Sequence, residues 1–319
     1  MCIRDSPWGI AFNPNGFVWV ADNGSGRSTL YDGQGTPQSL VVTVPGAGAL
    51  PGKPTGIVFN GSGDFVVAKG SLQGPARFIF AGEGGTISGW APNVDLTNAQ
   101  RVVDGSSLGS IYKGLALAAT GTGNFLYATD FHNGRVDVFD HNFQRVNWPG
   151  AFVDPALPHG FAPFGIQNVL GALVVTYAKQ DAAAEDDVAG PGLGIVDVYD
   201  AQGRLLRRLA TGRRLNAPWG IALAPADFGR FANALLIGNF GDGRSSAFDP
   251  RDGEFLGQLR DATGRRIRIP GLWGLAFGNG IQQQPTGTLF FTAGPNDEAD
   301  GLYGSIAPGT GGAADDDDD

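Results

Sequence analysis

Short apolar runs alternate with polar turns along the whole chain. The runs are rich in Val, Ile, Phe, Tyr and Thr and are bounded by Gly, Asn and Asp. That is the pattern of strands joined by hairpins. The runs group into six segments, each opening with a Gly-apolar phrase at Gly9, Gly56, Gly114, Gly165, Gly220 and Gly274, spaced 47, 58, 51, 55 and 54 residues apart. Three copies are nearly the same: "SPWGIAF" (6–12), "APWGIAL" (217–223) and "GLWGLAF" (271–277). After each phrase come a turn, a second run, an Asx/Gly turn and a third run often ending in Asp. "GFVWVADNGSGRSTLYD" (16–32), "NFLYATDFHNGRVDVFD" (124–140) and "ALLIGNFGDGRSSAFD" (234–249) align almost without gaps. A fourth run follows in most segments: "SLVVTV" (39–44), "AQRVVD" (99–104), "GRLLRRL" (203–209) and "GEFLGQL" (253–259).

Four antiparallel strands per ~50 residues, repeated around an axis, make a β-propeller blade. The expected fold is therefore all-β: a six-bladed propeller of four-stranded antiparallel blades over 7–308. Two stacked β-sandwiches would use similar strands but would not write one phrase six times. The phrase marks the innermost strand, where Gly lets backbones crowd near the axis. Trp8, Phe164, Trp219 and Trp273 then either wedge between blades or rim a ligand pocket at the axial mouth. The sixth segment ends at "GLYGSIAP" with no fourth run after it, and the opening "MCIRDS" reads as a non-native leader over 1–6. The closing strand is thus expected to be missing at the N-terminus, leaving an open or weakly closed seam between blades one and six. Residues 309–319 read as a disordered acidic tail.

Composition narrows the partners. Gly is 52 of 319 residues, which favours tight turns over long helices. The net charge of −9 argues against nucleic acid, whose phosphates need a basic face. No run approaches the ~20 apolar residues of a spanning helix. The lone Cys2 can form neither an intramolecular disulfide nor a cysteine zinc site. A monomer is expected.

In a propeller, the loop entering the inner strand and the turn after the second strand share one face. The residue ending the second run is Asp22, Glu83, Asp130, Ala178, Asn239 or Gly294. Asp22, Glu83, Asp130 and Asn239 could together hold Ca²⁺, which takes 6–8 oxygens. Equally, Asp and Asn at a turn bond their own backbone. Glu83 depends on whether "FVVAKG" (65–70) competes as that blade's second strand. The insertion "KQDAAAEDDVAGPG" (179–192) carries Asp181, Glu185, Asp186 and Asp187. It reads as a charged surface loop or as a Ca²⁺-ordered lid over the mouth. His132, beside Asp130, belongs with the mouth residues or is simply an exposed turn residue. No G-x-S-x-G, HExxH or P-loop motif is present. Arginines in 203–215 and 260–270 fall on outermost strands, where charge prevents edge pairing or docks an anionic polymer.

The stretches "PWGIAF", "ARFIFAGEGGTISGW", "YATDFHNGRVDVFD", "GNFGDGRSSAFD" and "LFFTAGPNDEADGLYGSI" resemble an uncharacterised family of bacterial, secreted or surface-attached, NHL-like six-bladed propellers. The resemblance covers roughly 7–308. It implies an extracellular or cell-surface setting and carries no established activity. The expected function is a binding module for a protein, glycan or small-molecule ligand. The alternatives are a Ca²⁺-dependent hydrolase or lyase of the lactonase type at the axial mouth, and a structural surface scaffold. The three predict different mouths: an open aromatic cup, converging carboxylates, or a plug of side chains.

Overall fold

Each Gly-apolar phrase becomes the innermost strand of a four-stranded antiparallel sheet. The computed structural model describes residues 2–3, as backbone, and 6–309. Blade one comprises Pro7–Phe12, Val18–Asp22, Arg27–Tyr31 and Pro37–Thr43. Blade two comprises Pro54–Phe59, Phe78–Gly82, Thr86–Trp90 and Gln100–Asp104. Blade three comprises Tyr112–Thr120, Gly123–Asp130, Arg135–Phe139 and the short Arg145–Val146. Blade four comprises Phe161–Val169, Ala172–Lys179, Gly194–Tyr199 and Leu205–Thr211. Blade five comprises Pro218–Leu223, Leu235–Asn239, Ser245–Phe248 and Phe255–Gln258. Blade six comprises Leu272–Phe277, Leu289–Ala293, Gly301–Ile306 and Cys2–Ile3. Each inner strand packs on the next, and the sixth on the first. The fold is the six-bladed propeller that the repeat predicts. Two 3-10 turns, Ser106–Leu108 and Gly229–Phe231, are the helical content among the described residues. "FVVAKG" lies in neither blade strand. Val66–Lys69 pairs with Leu72–Pro75 as a separate hairpin between the first and second strands of blade two.

The repeated phrase has a structural meaning. In every blade the ladder between the first and second strands slips at this phrase, a β-bulge. A bulge re-aims a side chain. The glycine after it lies against the neighbouring blade's backbone. A Cβ would stand 2.4 Å from Thr55 O at Gly9, 2.4 Å from Leu115 N at Gly56 and 2.9 Å from Phe164 O at Gly114. It would stand 2.2 Å from Trp219 O at Gly165, 2.5 Å from Trp273 O at Gly220 and 2.7 Å from Trp8 O at Gly274. The glycines form a closed ring of backbone contacts, each blade touching the next.

The seam differs from the expectation. The sixth sheet has its fourth strand, because Cys2 and Ile3 pair antiparallel with Leu302 and Gly301. Side chains close the seam further. Thr292 Oγ1 donates to Trp8 O at 2.5 Å. Asn279 Nδ2 donates to Asn13 O and Gly16 O at 2.7 and 2.9 Å. Gln284 Nε2 donates to Tyr31 O at 3.1 Å. Ser6, assigned to a leader from the sequence, donates to Glu298 Oε1 at 2.6 Å and accepts from Trp8 Nε1 at 3.0 Å. The acidic run 315–319 lies outside the described residues.

Candidate functional site at the axial mouth

The residues before the ring glycines are Trp8, Thr55, Lys113, Phe164, Trp219 and Trp273. Trp8, Phe164, Trp219 and Trp273 come together as anticipated, and Phe131 and Phe240 join them. Trp8 stacks on Trp273 at 3.6 Å between ring centroids, and Phe240 stacks on Trp273 at 4.1 Å. Trp219 meets Trp273 edge-on at 5.5 Å, and Phe164 lies 5.8 Å from Trp273. These rings do not line an open cup. Trp8, Phe164, Trp219 and Trp273 are 3, 0, 8 and 1% exposed, so they plug the axis. An axial cavity of about 40 Å³ remains, lined among others by Gly9, Gly56, Gly274 and Leu115. That is room for roughly two or three waters.

The third copy of the phrase, "YKGLAL", places a lysine where three other copies have tryptophan. Lys113 is 1% exposed. Its Nζ lies 2.6 Å from Glu83 Oε1 and 3.0 Å from Asp186 Oδ1. It also sits 5.1 Å from the centroid of the Trp8 ring, a cation–π distance. Burial alone would pull its pKa down, but Glu83 and Asp186 outweigh burial and hold it above the ordinary lysine value. Glu83 is steadied in turn by Asn23, whose Nδ2 donates to Oε2 at 3.1 Å. Trp219 Nε1 donates to the Lys113 carbonyl at 3.1 Å, and Trp273 Nε1 to Glu298 Oε1 at 2.7 Å. The mouth is therefore an aromatic floor carrying one buried cation and a rim of carboxylates.

The insertion of blade four lies over this floor. Gln180 Nε2 donates to Phe131 O at 2.6 Å, and Gly190 N to Asn216 Oδ1 at 2.7 Å, which tie down its two ends. Asp181 turns inward on its own loop, accepting from Glu185 N at 2.9 Å. Asp186 reaches Lys113 from a side chain that is 74% exposed. Glu185 is exposed. Asp187 is half-buried beneath the loop. Burial pushes its carboxyl up to about 6, with Lys113 opposing the shift and Asp186 and Glu298 adding to it. The folded chain thus holds a proton on Asp187 that the unfolded chain has released above about pH 4. Stability from this group is present at low pH and falls as pH rises from about 4 to about 6. Asp187→Asn should remove that slope. Allowing for partial exposure, its advantage over the native chain should grow by about 1 kcal/mol across the window and then level off. Urea unfolding at half-unit pH steps measures this.

The four residues considered as a Ca²⁺ set do not converge. Among the described residues, no group of three or more His, Cys, Asp and Glu stands close enough to hold a metal ion. Opposite the first residue of the phrase, the register places Asp22, Gly82, Asp130, Tyr177, Asn239 and Ala293. Glu83 is one residue further on, in the turn after the strand; Gly294 likewise follows its strand, and Ala178 is one further on within its own. Asp22, Asp130 and Asn239 are instead held by partners in their own blades. Asp22 Oδ2 accepts from Thr29 Oγ1 at 2.7 Å. Asp130 accepts from Ile111 N at 3.1 Å and Asn133 Nδ2 at 2.8 Å, and pairs with Arg135 at 3.1 Å. Asn239 Oδ1 accepts from Asn216 N at 3.1 Å. His132 is exposed and lies beside Gly109 rather than over the axis. The acidic loop is held by Lys113 where the sequence suggested Ca²⁺.

Comparison with known proteins agrees with this architecture. The NHL repeat pattern matches residues 5–28. An uncharacterized protein of Acanthamoeba polyphaga mimivirus is 33% identical over 308 residues, covering 94% of this chain and 74% of that one. It is viral, so it lends no support to the bacterial origin that the sequence resemblance implied. Among solved structures, the soluble aldose sugar dehydrogenase of Escherichia coli matches with TM-score 0.58 and 14% identity over 97% of this chain and 98% of that one. Virginiamycin B lyase of Staphylococcus aureus matches with TM-score 0.51 and 14% identity over 94% and 95%. At that identity both likenesses concern the fold alone.

Proposed function

The chain belongs to the family of the mimivirus protein that it matches along 94% of its length, and from that premise we propose that it works as an interaction module whose lidded axial mouth receives a carboxylate-bearing segment of a partner protein. The plugged aromatic floor is the mouth expected of a scaffold and leaves no open cup; what supports a receiving mouth instead is Lys113 beside it. A buried ammonium is costly unless paired, and here it is paired twice. One partner, Glu83, belongs to the floor. The other, Asp186, comes from an exposed loop that only blade four carries. Asp186 is the exchangeable ligand of the pair. A partner's aspartate or glutamate can take its place on Lys113 and keep the ammonium satisfied, while Glu83 and the Trp8 face remain as they are. The rigid blades hold the floor and the insertion supplies the reader, the usual division of labour between scaffold and loop.

The test uses a peptide with the insertion's own sequence at 184–188, acetyl-Ala-Glu-Asp-Asp-Val-amide, titrated by calorimetry. Asp186→Ala vacates one donor of Lys113, so this variant should bind the peptide at least about tenfold more tightly than the native chain. Lys113→Met combined with Glu83→Gln should not bind the peptide measurably. If Asp186→Ala gains no affinity, the mouth is not a carboxylate receptor.

A further inference from the structure

Blade three has an incomplete outer strand. In blades one, two, four and five the third strand pairs with the fourth at three to five positions. In blade three only Val138 and Phe139 are paired, with Val146 and Arg145. The cause is local. After Val146 the chain runs Asn147-Trp148-Pro149-Gly150. Trp148 turns onto Phe125 and Tyr127, with centroids 5.0 and 6.4 Å away, and Pro149 has no N–H for a ladder. The fourth strand peels off, and among the described residues nothing pairs with Arg135, Val136 and Asp137 on the outer side. In its place is a groove of about 440 Å³ lined by Arg135, Val136, Asp137, Asn147, Trp148 and Ala151. That volume falls within the range of ligand sites.

We propose that this groove takes an extended peptide of a partner protein, added as the missing part of the fourth strand, with acidic and apolar residues alternating. An uncovered sheet edge offers main-chain groups to an incoming strand, and the pockets beside it read alternate side chains. The two faces here differ. Arg135 and Asp137 lie on one face, together with Arg145. Arg135 and Arg145 are 39 and 40% exposed, while their carboxylate partners Asp130 and Asp137 are 0 and 1% exposed. The acids are turned inward and the guanidinium groups outward, so this spot on a chain of net charge −9 offers positive charge. Each guanidinium has five N–H donors, more than these inward pairs occupy. A peptide carboxylate on this face meets two arginines. On the other face, half-buried Val136, Val146 and Trp148 pack against the core of blades three and four and offer apolar contact to the next residue. The proposal is independent of the mouth.

The probe is acetyl-Glu-Val-Glu-Val-Glu-Val-amide, with the Lys-Val repeat of equal length as its charge reversal. Binding is followed by calorimetry and located by hydrogen exchange on the full chain. The expected result is that the Glu-Val peptide slows exchange in 135–139 at least about fivefold at saturation and the Lys-Val peptide does not. Asn147→Glu changes an exposed groove residue without touching Asp137, and should weaken binding about tenfold. Arg145→Ala should do the same. No binding up to 1 mM probe, equal binding of the Lys-Val peptide, or protection confined to 180–188 would each overturn the proposal. The last result would place the acidic segment at the mouth and leave the reading of Lys113 standing.

Discussion

Gly165→Ala unfolds about 3 kcal/mol more easily than the native chain, or several degrees lower in Tm. The new Cβ would stand 2.2 Å from Trp219 O and 2.8 Å from Thr176 Oγ1. The hydroxyl cannot move without cost, because Gly165 N donates to it at 2.9 Å. The carbonyl cannot move without displacing blade five. Relief must come from prying two blades apart, and interiors packed to crystal density resist that. Gly63→Ala is the control. It has no atom within 4 Å of its added Cβ and should leave the midpoint unchanged. Equal midpoints for the two variants, by calorimetry or urea titration, would mean that the axial glycines are not close-packed.

Lys113→Met should cost about 2–3 kcal/mol. It leaves Glu83 without its cation, and removing one partner of a buried pair exposes the full desolvation cost of the other. The figure is set below the deepest cases because the Glu83 side chain is 17% exposed. Lys113→Met with Glu83→Gln should recover most of the loss, since the uncompensated charge is then gone. The double-mutant cycle isolates the coupling. A single-variant cost under about 1 kcal/mol would show that the ion pair is not what holds the ammonium at the axis.

Much of the fold could be read from the chain because six phrases repeat a glycine and four of them repeat its aromatic neighbour. The fourth strands of blades one, two, four and five fall where the apolar runs put them. The site was harder to read for three physical reasons. Residue type does not fix which position ends the second strand, because turn lengths differ between blades. Asp22 ends its strand while Glu83 stands one position later, in the turn, and residue type alone does not tell the two places apart. Lys113 is hard to find because "YKG" does not look like "PWG". Setting the third copy under the others would have exposed a lysine in an aromatic column. The destination of the 179–192 insertion is a long-range contact with blade three, and no local pattern encodes it. The short outer strand of blade three leaves a trace in "NWPG", where Pro and Gly end the run, but the room left behind depends on the third strand beside it.

The clasp between blades six and one joins residues 284 apart in the chain, as with Thr292 and Trp8. Other interfaces join neighbouring phrases about 50 residues apart. Loop-closure entropy grows only with the logarithm of length, so bringing the two ends together costs only about 1.5 kcal/mol more than joining adjacent blades. Closing the wheel is therefore mainly a kinetic matter. Blades can form from local contacts in any order, while the last interface must wait until its distant partners exist. A partly built ring exposes two raw flanks until that step, and these flanks are where a second chain would intrude during refolding at high concentration.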